Sequence, residues 1–156
     1  MNKADLVIGR IIDAQAAAPA ALPLDPRAYA PAPDRLAGRV ILVTGASDGI
    51  GRAVAMALAA HGATVALHGR SLKKLEKVYD AIVAAGHPQP ALVPLDFEKA
   101  LAQDYDALVA ALDREFGRLD GLLHNASLLL TRSPIEHYDV PTWCRVLHVN
   151  LTSPPG

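Results

Sequence analysis

The residues best suited to chemistry are Thr44-Gly45-Ala46-Ser47-Asp48-Gly49-Ile50-Gly51, entered from the apolar run Val40-Ile41-Leu42-Val43. Glycines at 45, 49 and 51 leave backbone N–H groups bare, and bare N–H groups at a helix start form a site for phosphate. The free donors of a first helical turn and the positive end of the helix dipole act together on an anion. Gly45 can take turn angles closed to other residues. Gly49 has no side chain to hold a pyrophosphate off the main chain, and Gly51 lets the helix lie close to its strand. The spacing is G-x-x-x-G-x-G rather than the common dinucleotide fingerprint G-x-G-x-x-G. It is not a P-loop either, since Ile50-Gly51 stands where Gly-Lys is required. Taken alone, the pattern also fits an ordinary strand-to-helix turn.

Such a loop needs a strand to deliver it and a helix to carry it away. The run before Gly45 predicts a buried first strand at about 40–44. Ile50, Val54, Ala57 and Leu58 recur at helical spacing, predicting a helix over about 49–61 that His61-Gly62 stops. Thr64 to His68 reads as a second strand. Ser71 then caps a second helix with Leu72, Leu75, Val78, Tyr79 and Ile82 on one face, ending at Gly86. Ala91 to Leu95 is a third strand. The third helix presents Leu101, Tyr105, Leu108, Val109, Leu112 and Phe116 and stops at Gly117, and Leu119 to His124 forms a fourth strand. A fourth helix begins near Pro141 and carries Trp143, Val146, Leu147 and Asn150. This alternation predicts an α/β fold, a Rossmann-type doubly wound parallel sheet with helices on both faces. Residues 2–13 could form a short helix, and 14–33 are mostly Ala and Pro. Residues 1–35 are therefore expected to be a disordered or loosely docked leader, and 36–156 the nucleotide-binding domain.

The end of the second strand bears on which dinucleotide is bound. An acid there holds a ribose 2′-hydroxyl, whereas an arginine suits a 2′-phosphate. The chain reads His68-Gly69-Arg70-Ser71, with no acid and a guanidinium fork that matches phosphate in charge and shape. NADP(H) is thus favoured over NAD(H). The alternative is an ordinary exposed loop arginine.

These residues together resemble the short-chain dehydrogenase/reductase family, whose T-G-x-x-x-G-x-G motif matches Thr44 to Gly51. Leu119-Asp120-Gly121-Leu122-Leu123-His124-Asn125-Ala126-Ser127 is similar to the family's L-D-x-L-x-N-N-A-G, with His124 for the first Asn and Ser127 for the Gly. The resemblance implies cofactor contacts from Thr44, Gly45, Ser47, Gly49, Ile50, Gly51, Arg70, Asp96 and Asn125. Asp96 would accept from the adenine amino group, with Phe97 beside it; capping the third helix is its other reading. Asp48 argues against NADP(H), because some NADP-using relatives carry Lys or Arg there. His148-Val149-Asn150 resembles the segment bearing the family's catalytic Asn, so Asn150 is the catalytic candidate, with a purely structural helical Asn as the alternative.

The rest of the family's catalytic set is missing. Its Tyr passes a proton to or from the substrate oxygen, and a Lys four residues later lowers the Tyr pKa. Tyr29, Tyr79, Tyr105 and Tyr138 are followed at that distance by Pro33, Val83, Val109 and Thr142, and the last lysine is Lys99. The resemblance covers Leu36 to about Ser153 and implies the cofactor-binding half of an oxidoreductase acting on a carbonyl or secondary alcohol. The chain itself is expected to be inactive, as an interrupted reading frame would be. Without the other half, the fourth strand should be an exposed edge. Pro154-Pro155 should break the last helix. The alternatives are a non-catalytic nucleotide-binding or interaction module and a relict. The full-length relative is expected to be a homo-oligomer.

Composition narrows the remaining classes. Of 156 residues 51% are hydrophobic and 20% charged, and the net charge is -1, which argues against nucleic-acid or anionic-membrane partners. The single cysteine, Cys144, rules out a disulfide framework and suits the cytoplasm. His124 and Ser127 lack a G-x-S-x-G elbow for hydrolysis, and no metal set with ligand spacing is visible around His124, His137 and His148.

Overall fold

In the computed structural model, which describes residues 30–130 and 133–152, the sheet is organised about β1 (Val40–Val43). β1 is flanked on one side by β2 (Thr64–Gly69) and on the other by β4 (Gly121–Leu123), while β3 (Ala91–Pro94) lies outside β2. All pairs are parallel, with Val40 opposite Thr64, Ile41 opposite Gly121 and Ala66 opposite Ala91. The order β3-β2-β1-β4 means that the chain winds outward from β1 to β3, then crosses back to β4. This reversal between β1 and β4 is a topological switch point, which in open α/β sheets opens a crevice beyond the strand ends.

The sheet and its helices belong to the unit beginning at Ala32. Most of the expected leader, 1–29, lies outside the described residues, as does the Pro154-Pro155-Gly156 end. Leu36 is half-buried on the core, and its N–H donates to the His61 carbonyl at 2.9 Å.

Helices α1 (Gly49–Ala60) and α2 (Leu72–Ala84) cover one side of the sheet, closing Val43, Val65 and Leu67 against Ala55, Ala59, Leu75, Val78 and Ile82. Helix α3 (Ala102–Phe116) covers the other, where Leu112 packs on Leu42 and Ala66 with Leu108 and Phe116 at the margin. The α1 face is rotated from the expected one: Gly51, Ala55 and Ala59 are buried and Ile50 is 75% exposed. Small side chains let α1 approach the sheet, so close packing selected alanines over larger apolar residues. Leu101 and Val109 of the expected α3 face are also exposed.

β4 is shorter than expected. Asp120 ends its approach by accepting hydrogen bonds from the Val40 N–H and Arg39, both at 2.8 Å, and from Arg118. These partners hold the Asp120 carboxyl well below the usual range, Arg118 foremost. Among the described residues β4 pairs only with β1, and Leu122 stays 41% exposed. Beyond a single 3₁₀ turn, helix α4 (Val140–Leu147) starts where Pro141 suggested and continues as a π-helical turn, His148–Thr152. The Asp139 carboxylate caps α4 by accepting from the Thr142 N–H at 2.9 Å.

Candidate functional site

The crevice at the switch point is a cleft of about 410 Å³ at the carboxyl ends of the strands. It is lined by Gly45, Ser47 and Gly49 of the loop after β1, Gly69 and Arg70 at the end of β2, and Asp96 with Phe97 after β3. Asn125, Ala126, Ser127 and Leu128 complete it from beyond β4.

The loop after β1 is held by two polar residues. Thr44 is buried; its Oγ1 accepts from the N–H groups of Asn125 and Ala126, both at 2.9 Å, and donates to the Leu123 carbonyl at 3.2 Å. Asn125 Nδ2 donates to the carbonyls of Thr44 at 3.0 Å and Gly45 at 3.3 Å. The loop is thereby tied to the segment after β4 across about eighty residues of sequence. Two glycines serve opposite ends of this arrangement. Gly51 is enclosed: a Cβ there would collide with the Gly45 carbonyl oxygen and with Asn125 Nδ2. Gly49 has a φ of +51° and nothing within 4 Å of a would-be Cβ, so its backbone lies open to the cleft.

Arg70 lines the cleft, is exposed, and has no hydrogen-bond or ion-pair partner among the described residues. Asp48 also lines the cleft and caps α1 by accepting from the Gly49 N–H at 2.9 Å. Its other oxygen meets Lys74 Nζ at 3.0 Å, and Lys74 is the chief reason the Asp48 carboxyl lies below its ordinary pKa. Asp96 does not cap α3. It starts a separate turn, its Oδ1 accepting from the Glu98 N–H at 3.2 Å, while Leu101 takes the cap position with Asp104 accepting its N–H at 2.8 Å. Ser71 stands at the N-cap position of α2 without a side-chain cap bond.

His68 also lines the cleft. It is 2% exposed, stacks on Phe97 at 4.1 Å between ring centroids, and its Nδ1 accepts from the Gly45 N–H at 3.4 Å. Burial pushes the imidazole down to about 4, against a weaker opposing pull from the Leu95 backbone. Phe97 in turn tilts against Tyr105 of α3.

Of the residues singled out from sequence, Gly45, Ser47, Gly49, Arg70, Asp96 and Asn125 come together on the cleft. Thr44 and Gly51 lie behind it as supports, and Ile50 faces outward from the first turn of α1. Asn150 is engaged with backbone: its Oδ1 accepts from the Leu128 N–H at 2.7 Å and its Nδ2 donates to the Leu128 carbonyl at 3.1 Å. It thus positions a cleft-lining residue from outside the lining itself. Glu98 and Leu128 escaped sequence reasoning, and no local pattern marks them. Glu98 is paired with Arg145 of α4 at 2.7 Å, a contact between residues 47 apart.

A parallel sheet with a glycine turn at its switch point, a bare helix start and an arginine at the second strand end defines a dinucleotide-binding α/β domain. The short chain dehydrogenase family model matches residues 39–154, and the chain belongs to that family. It is 41% identical over 125 residues to the uncharacterized oxidoreductase YciK of Escherichia coli K12, covering 80% of this chain and 50% of YciK. A short chain dehydrogenase structure from Salmonella enterica serovar Typhi superposes with a TM-score of 0.78 at 42% identity, covering 80% of this chain and 51% of that one. A candidate short chain dehydrogenase from Escherichia coli CFT073, solved in complex with NADPH, gives 0.76 at 42% identity, covering 79% and 51%. The chain spans about half the length of the relatives it matches. Among the described residues, no helix is long and apolar enough to cross a membrane.

Proposed function

We propose that this chain binds NADP(H) in the cleft and is the cofactor-binding part of an oxidoreductase acting on a carbonyl or secondary alcohol. The observation that carries the reading is the pairing of an open Gly49 backbone with an unpartnered Arg70 on one cleft that has no acid at the end of β2. The dinucleotide supplies hydride chemistry when bound. Gly45, Ser47 and Gly49 would face its phosphates, Arg70 its 2′-phosphate and Asp96 its adenine amino group. Thr44, Gly51 and Asn125 keep the loop in shape for that contact. The NADPH complex of the E. coli CFT073 relative supports the choice of ligand.

Catalysis is a separate matter, because no tyrosine of the chain has a lysine four residues later. Asn150 alone represents the catalytic set, and the proposal for these 156 residues is binding without turnover in the cytoplasm. Titrating the purified chain with NADPH and NADH, followed by ligand fluorescence, tests the binding. Saturable binding with NADPH tighter is expected; no binding of either would refute the reading. NADPH-dependent carbonyl reduction by the pure chain would refute the inactivity.

A further inference from the structure

Asp48 sits where a phosphate-binding cleft would least favour a carboxylate. It lines the same cleft as Arg70, caps the helix whose start faces the phosphates, and is 76% exposed through its side chain. An uncompensated charge there would oppose the cation meant to hold a 2′-phosphate. The structure supplies a counter-charge from another element. Lys74, in the first turn of α2, reaches across to Asp48 Oδ2 at 3.0 Å. Both partners are exposed, so the pair contributes little to folding stability. Lys74 does not itself line the cleft, but it reaches the cleft through Asp48, which does, and that gives the pair a different use.

We propose that Lys74 is a specificity-determining residue for the dinucleotide: by pairing with the lining residue Asp48 it keeps this side of the cleft net positive with Arg70, and so sets the preference for a 2′-phosphate over a 2′-hydroxyl. This rests on the dinucleotide reading above. The sum of charges is simple. Arg70 and Lys74 supply two positive charges and Asp48 one negative, leaving one positive charge facing a phosphate that carries about -1.5 to -2 at neutral pH. Arg52, one turn into α1, also lies near enough to Asp48 to lower its pKa, and it is a constant background in every variant below. Glu98 and Asp96, the other cleft acids, have their own partners in Arg145 and, more loosely at 3.9 Å, Lys99. Lys74 thus does from α2 what a basic residue at position 48 would do from the glycine loop itself. A ligand with a free 2′-hydroxyl carries no charge at that point and is nearly indifferent to the sum.

The test is a charge cycle on the full chain, measuring Kd for NADPH and NADH with Lys74→Met, Asp48→Asn and the double variant. Asn retains the capping oxygen for the Gly49 N–H, and Met retains the apolar stem of Lys74, so thermal midpoints should hardly move. Lys74→Met should weaken NADPH about three- to tenfold, the scale of one partly screened charge, with NADH changing less than about twofold. Asp48→Asn should tighten NADPH by a similar factor. The double variant restores the original net charge and should return the NADPH:NADH ratio close to that of the wild type. An unchanged ratio in both single variants, or an equal loss for both dinucleotides in Lys74→Met, would overturn the assignment while leaving dinucleotide binding intact. A wild-type chain that binds neither ligand would overturn both.

Discussion

Replacing Gly51 with alanine should cost this domain far more than a single methyl group suggests. The new Cβ would press on the Gly45 carbonyl oxygen and on Asn125 Nδ2, with the Gly45 carbonyl carbon only 2.8 Å away. Neither neighbour can step aside cheaply. The carbonyl is main chain in a turn with φ near +67°, and Asn125 is held by its bonds to Thr44 and Gly45. Overpacking of this kind costs about 1–3 kcal/mol. Displacing Asn125 loses two hydrogen bonds, each worth about 1 kcal/mol. Alanine returns about 1 kcal/mol of helix propensity. The net destabilisation is about 2–4 kcal/mol, a large share of the ~5–15 kcal/mol available to a domain. Urea unfolding followed by circular dichroism gives the stability directly, and NADPH titration of the folded fraction gives the site. Gly49→Ala is the internal control. Its Cβ has open space, and the left-handed φ costs only about 1–2 kcal/mol. Its stability should be the less affected of the two, whereas its NADPH affinity should fall because the methyl group stands in the cleft. A Gly51→Ala chain within about 0.5 kcal/mol of the wild type would refute the packing argument.

Thr44→Val keeps the shape of a buried side chain but removes the oxygen that accepts from Asn125 and Ala126, so a loss of about 2 kcal/mol is expected. Faster hydrogen exchange at those two amides, with β1–β2 amides less affected, would locate the loss between β1 and β4; a uniform change would count against it. His68 predicts a pH effect of definite sign. Its folded pKa of about 4 lies below the ordinary 6.5, so between those values the unfolded chain takes up a proton that the folded chain refuses. That contribution is complete above about pH 6.5 and is lost as pH falls towards 4, by up to about 3 kcal/mol. Urea midpoints at pH 7 and pH 4.5 should therefore differ more in the wild type than in His68→Asn, and equal differences would rule the histidine out.

The fold was largely legible because its signals are local and repeated. Apolar runs of strand length, helical spacing between them and glycines at the stops specify β-α-β-α-β-α-β, and parallel pairing with short connections leaves few ways to close it. The glycine loop was legible for the same reason, since bare backbone before a helix is a property of consecutive residues. Arg70 could be read as well, because the end of β2 is a fixed place in such folds.

Other features required the chain to be folded. Which face of α1 turns inward could not be read, because Ile50 and Val54 carry more apolar surface than Ala55 and Ala59. The closeness of the sheet chose the smaller residues. The alternative reading of Asp96, as the cap of α3, does not hold because α3 begins six residues later. The Thr44–Asn125 clasp, the Glu98–Arg145 pair and the Lys74–Asp48 pair join residues 81, 47 and 26 positions apart. A sequence states which donors, acceptors and charges exist, and short-range sterics decide how neighbours are arranged. Which distant groups meet is settled only when the sheet order brings strand ends together, because hydrogen bonds and ion pairs act over a few ångströms of space and are indifferent to separation along the chain.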